Sequence, residues 1–112
     1  MLGKMMSLYF SSLNDYSTVL TSRGNSKFLI NNFDDNIEFF NVVEDDFQAL
    51  ASKVKPDVII NCIGRIKPTI NEEDNLSITE TIKINSFFPM ELQKYSKTNN
   101  IHYFQIGTDC VF

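Results

Sequence analysis

Polar or glycine residues stand directly after four apolar, strand-like segments: Ser22-Arg23, Asn41 to Asp46, Asn61 to Gly64 and Gly107 to Asp109. In open α/β sheets, ligands bind beyond the carboxyl ends of the strands, so these are the places where the chain has groups for chemistry. Thr108 and Asp109 put a hydroxyl next to a carboxylate, a pair that also suits capping of a following segment. Polar strand ends occur in any soluble fold, so position alone does not select among them.

Other reactive side chains read more plainly. Glu72, Glu73 and Asp74 fall in a polar loop and read as solvated acids, with no metal site expected. His102 sits mid-strand and reads as a surface or edge residue rather than a base. Cys62 and Cys110 lie in apolar segments without C-x-x-C spacing, which predicts buried, reduced thiols and a cytoplasmic location.

The elements that must position these groups follow from periodicity. Leu2, Met5, Met6, Tyr9 and Leu13 recur in steps of three and four, one face of a helix ending near Asn14-Asp15. The β-branched run Tyr16 to Ser22 and the segment Ile37 to Val43 predict strands. Asp45 or Asp46 caps a helix whose stripe is Phe47, Leu50, Ala51 and Val54, and Pro56 stops it. Asp57 to Gly64 is nearly all apolar, which predicts a strand buried on both faces of a parallel sheet. A long helix is predicted over about 76–98, with Pro89 bending it or marking a new first turn. Ile101 to Ile106 is the last strand. This alternation predicts an α/β fold with parallel strands.

Composition agrees with a soluble globular domain: 112 residues, 43% hydrophobic and 21% charged, with ten Phe and no Trp. A net charge of −4, with the basic residues scattered, argues against a nucleic-acid partner. No apolar run reaches the length of a membrane span.

Three segments carry a resemblance. Lys55-Pro56-Asp57-Val58-Ile59-Ile60-Asn61-Cys62-Ile63-Gly64, then Ile84-Asn85-Ser86-Phe87-Phe88-Pro89-Met90-Glu91-Leu92, then Ile106-Gly107-Thr108-Asp109-Cys110-Val111-Phe112 resemble consecutive motifs of the extended short-chain dehydrogenases. Within that group they look like the dTDP-4-dehydrorhamnose reductase-like sugar-nucleotide reductases. Met1-Leu2-Gly3 looks like the tail of the family's Gly-x-x-Gly-x-x-Gly fingerprint.

The resemblance implies a Rossmann-like, doubly wound parallel sheet, with residues 1–112 a partial NAD(P)-binding domain truncated at both ends. The family's first strand and its substrate-binding part are expected to lie outside these residues. It implies NADP or NAD as cofactor and a nucleotide-linked 4-keto sugar as substrate, in deoxysugar and surface-polysaccharide biosynthesis. Gly3 would sit against the cofactor pyrophosphate; its plain alternative is an ordinary helix glycine. Arg23 would meet the adenosine ribose phosphate and favour NADP, against a solvated loop arginine. Asn61, Cys62, Ile63 and Gly64 would line the cofactor, against a buried strand with a glycine turn. Asn85 would stand beside the active site, against a surface amide. Thr108 would be catalytic, its hydroxyl on the substrate carbonyl oxygen, and Asp109 would help hold the substrate.

The chain departs from the family in two ways. The family's Tyr-x-x-x-Lys pair does not occur here; Tyr95 is followed at the fourth position by Asn99. An aspartate usual near the end of the third strand is replaced by Phe40 or Asn41. The rival expectation is a non-catalytic binding module, similar to the regulatory subunit of methionine adenosyltransferase. Oligomeric state is not set by any of these residues.

Overall fold

The computed structural model describes residues 2–24 and 36–107. The chain divides into two compact units, Met1–Val54 and Lys55–Phe112. Among the described residues the architecture is mixed α/β, with four strands pairing as two separate two-stranded parallel sheets.

In the first unit, helix α1 (Leu2–Ser11) buries none of its residues; Met5 and Tyr9 are 61% and 60% exposed. Strand β1 (Leu20–Ser22) pairs with β2 (Ile37–Phe39) in the register Leu20–Ile37, Thr21–Glu38, Ser22–Phe39. Both strands are shorter than their sequence patterns. Tyr16 is drawn back onto the helix end, its N–H donating to the Leu13 carbonyl and its ring meeting Phe10 edge-on. The Ile37–Val43 pattern stops at Phe39 because Asn41 forms a turn. Its Oδ1 accepts the Val43 N–H at 3.0 Å, while its own N–H donates to the Asp45 carboxylate at 2.7 Å. An asparagine that satisfies the backbone locally competes with the sheet ladder.

Helix α2 (Phe47–Val54) begins where predicted: the Asp46 carboxylate accepts the Gln48 N–H at 2.9 Å. Phe40, Val42, Phe47 and Ala51 form the buried core of this unit, with the Phe40 and Phe47 rings edge-to-face at 6.4 Å.

In the second unit, β3 (Val58–Asn61) runs parallel to β4 (His102–Gln105), in the register Val58–His102 through Asn61–Gln105. The expectation of a strand buried on both faces is not met. Side chains alternate across a pleat, so Val58, Ile60 and Phe104 share one face, and of these Val58 is 44% and Phe104 56% exposed.

Parallel strands need a crossover, and a helical segment supplies it. Helix α3 (Asn75–Ile82) is capped by Asp74, whose carboxylate accepts the Leu76 N–H at 3.0 Å; one of the three loop acids thus has a capping job. A π-helical turn follows over Lys83–Phe87, and helix α4 (Phe88–Asn99) continues from it. Pro89 accounts for the irregularity. It has no N–H to give the Asn85 carbonyl, and its ring crowds that oxygen. Widening the preceding turn relieves the clash, with Phe88 N–H reaching back five residues to the Lys83 carbonyl.

Ile84, Phe88, Leu92 and Ser96 form the buried stripe of this segment, whereas Ile82, just before the π turn, is 46% exposed. Asn100 closes α4 in the left-handed region, φ 55°, its N–H on the Ser96 carbonyl. No described helix is long and apolar enough to cross a membrane.

Candidate functional site

The carboxyl end of β3 carries the densest set of predicted residues. Asn61, its last residue, is 3% exposed. Burying an unpartnered amide costs free energy, and here both ends are used. Oδ1 accepts the Ile63 N–H at 3.0 Å and Nδ2 donates to Gln105 Oε1 at 2.9 Å, across the register to β4. The Asn61 carbonyl accepts the Ile106 N–H at 3.0 Å. The Tyr103 hydroxyl donates to the same Gln105 oxygen. Burial pushes the Tyr103 phenol above its ordinary range, against a smaller opposing effect of Asn61. Asn61 therefore ties the ends of both strands together and starts the turn that follows.

That turn is Cys62-Ile63-Gly64. Cys62 and Ile63 are half-buried and Gly64 is exposed. Cys62 is a free thiol, more accessible than its apolar context predicts, and burial pushes its pKa up, so it favours the neutral form. Beyond Gly64, Asn85 closes the turn. Its Oδ1 accepts the Arg65 N–H at 2.8 Å and its Nδ2 donates to the Arg65 carbonyl at 2.9 Å. Asn85 lies in the π turn, so the helix irregularity forced by Pro89 is the same feature that presents this amide. Helix π turns recur at functional sites. Asn61 and Asn85 thus bracket a three-residue turn of exposed and half-exposed backbone.

The other sequence-predicted residues stand elsewhere. Gly3 lies in the first turn of α1, half-buried, its carbonyl accepting Ser7 Oγ at 2.6 Å. Arg23 is exposed, immediately after β1. Thr108 and Asp109, and with them Cys110, lie outside the described residues. The structure therefore brings together Asn61, Cys62, Ile63, Gly64 and Asn85 in the second unit.

Gln105, Tyr103 and Arg65 participate without having been read as site residues. Arg65 looks like one polar loop residue among eleven, yet its guanidinium is mostly enclosed and reaches three acceptors. The available signal was an arginine placed directly after a glycine turn. Its partner in helix α3 is fifteen residues away, beyond any local pattern. Among the described residues no cluster of His, Cys, Asp and Glu is arranged to hold a metal ion.

Compared with known proteins, the chain matches no family model, no curated protein and no solved structure.

Proposed function

We propose that this chain is the cofactor-binding part of an NAD(P)H-dependent reductase of nucleotide-linked 4-keto sugars, similar to the dTDP-4-dehydrorhamnose reductases, on a Rossmann-like doubly wound sheet. The observation that carries the reading is the open turn Cys62–Gly64 at the carboxyl end of a parallel strand, fixed on one side by Asn61 and on the other by Asn85. Parallel strands joined through a helix, with such a turn at the strand end, are how α/β proteins seat nucleotides. Two features of the turn support a dinucleotide: Gly64 offers no side chain to obstruct it, and the neutral thiol of Cys62 adds no negative charge beside phosphates.

When bound, NAD(P)H supplies the hydride that reduces the keto carbon. The residues of this chain bind and orient. Cys62, Ile63 and Gly64 line the cofactor, and Asn61 and Asn85 hold that lining in shape; for Arg23 and Gly3 the resemblance alone implies roles, with a 2′-phosphate and a pyrophosphate respectively. Thr108 polarises the sugar carbonyl through its hydroxyl and Asp109 holds the substrate. Proton delivery belongs in the family to the Tyr-x-x-x-Lys pair, which these 112 residues do not contain.

Calorimetric titration with NADPH and NADH tests the reading. The expected result is saturable binding of both, tighter for NADPH, with the preference abolished in Arg23→Ala. The chain is expected to show no turnover with NADPH and a 4-keto sugar nucleotide, since loss of a general acid alone costs about 10²–10⁴-fold. Absence of any dinucleotide binding would falsify the proposal.

A further inference from the structure

The asparagine brackets fix only the two ends of the turn after β3. What remains is the strap from Arg65 to Asn71, which leaves the turn and crosses to helix α3. Arg65 fastens it. Its Nη1 donates to Glu80 Oε2 at 3.0 Å and to the Ser77 carbonyl at 3.3 Å, and its Nη2 donates to the Thr69 carbonyl at 3.1 Å. The first two acceptors belong to α3 and the third to the strap itself, so one planar group joins both. The strap's far end is fastened to the same helix, where the Asn71 N–H donates to the buried Ser77 Oγ at 3.0 Å. Between these points Thr69 and Ile70 close the 3₁₀ turn Lys67–Thr69 onto Ile66 and Lys67.

The geometry points to Arg65 as a positioning residue: clamped by Glu80, it holds the Cys62–Gly64 turn in its ligand-ready shape before any ligand arrives. Arg65 is the residue whose backbone Asn85 grips and whose side chain α3 grips, so movement of the turn requires breaking both sets of bonds. Its guanidinium makes no contact with a ligand in this role. Lysine cannot replace it, because a point charge with a flexible stem does not present three donors in one plane. A turn ordered in advance spares a ligand the entropy of ordering it. The identity of that ligand as a nicotinamide dinucleotide rests on the function proposed above; the clamp does not.

Two measurements on the full chain keep these claims apart. Amide hydrogen exchange without ligand reads the clamp. In Arg65→Lys and Glu80→Gln, exchange at Arg65, Thr69, Ile70 and Asn71 should accelerate about tenfold or more, the scale of losing a charge-assisted hydrogen-bond set. Exchange in β3 and in α4 around Leu92 should stay as in the parent, which a general loss of structure would not allow. NADPH titration of the same variants should show a dissociation constant raised about tenfold, with the parent affinity kept in Lys94→Ala, an exposed cation of α4 outside the strap. Unchanged exchange at the strap in both variants overturns the positioning role, whatever binds. Strap exchange that accelerates while the parent chain binds no NADPH upholds the clamp and overturns the dinucleotide reading.

Discussion

Asn41 and Asn61 use the same local chemistry with different consequences. Each ends an extended segment, and each accepts the N–H two residues on through Oδ1 at 3.0 Å. Asn41 is half-buried, and it bonds to Val43, Glu44 and Asp45, all within four residues. It makes a corner that delivers the chain to α2. Asn61 is buried, and its amide reaches Gln105, forty-four residues away. It makes a corner and also ties two strands. A turn that serves only the chain's path can be satisfied by neighbours; a turn whose shape must be held needs ties from distant elements. The Cys62–Gly64 turn has such ties on both sides, which is why the ligand site is proposed there.

Core truncation should separate the two regions most widely. Leu92 is 2% exposed in α4, and Leu92→Ala should cost about 2–5 kcal/mol by urea denaturation followed by circular dichroism. Leu8→Ala in α1, at a 43% exposed position, should change stability by less than about 0.5 kcal/mol. Equal costs would erase the distinction between a helix held by packing and one that buries nothing.

Next come the two asparagines themselves. Asn61→Ala removes the acceptor of the half-buried Ile63 N–H and unties Gln105 from a buried position, and should cost about 1–3 kcal/mol. Asn41→Ala, with its turn half-exposed to water, should cost less than about 1 kcal/mol. A larger loss at Asn41 would reverse the comparison. Smaller still, and matched between the units, are the caps: Asp46→Ala and Asp74→Ala should each cost about 1 kcal/mol. The ion pair Lys53–Glu38, with Lys53 66% exposed, should contribute less than about 0.5 kcal/mol and fade in salt.

The pH dependence sharpens the same contrast. Burial raises the Cys62 thiol and the Tyr103 phenol, so the folded chain holds their protons more tightly than the unfolded chain does. Their stabilising contribution is full below the unfolded values and is lost as pH rises through the folded ones. Cys62→Ser and Tyr103→Phe should therefore flatten the alkaline limb of the stability profile of the second unit. Alkylation of Cys62 at mildly alkaline pH should be slower than that of a free thiol, and faster alkylation would show that the thiolate is favoured instead.

Periodicity and local chemistry made much of this legible. The α2 stripe, the Asp46 cap, the stop at Pro56, the strand ending at Ser22 and the new first turn at Pro89 are all written in short windows, whereas the strand read as Asp57 to Gly64 ends at Asn61. What escaped was set by long-range or cumulative effects. The π turn is one inserted residue, invisible in a pattern that tolerates steps of three and four. β1 is limited to three residues because its partner is, and β2 is short because Asn41 prefers a turn. Asn61 and Asn85 were singled out by resemblance alone. Their actual bonds were not legible, since Gln105 and Arg65 become their neighbours only once the register and the turn exist.

The most direct test of the central claim is the residue-by-residue amide spectrum of the chain during titration with NADPH. Saturable shifts are predicted for Cys62, Ile63, Gly64 and Arg65, with Asn85 side-chain resonances following them and α2 amides unmoved. A spectrum in which these resonances stay fixed while others titrate, or in which nothing titrates, would contradict the account.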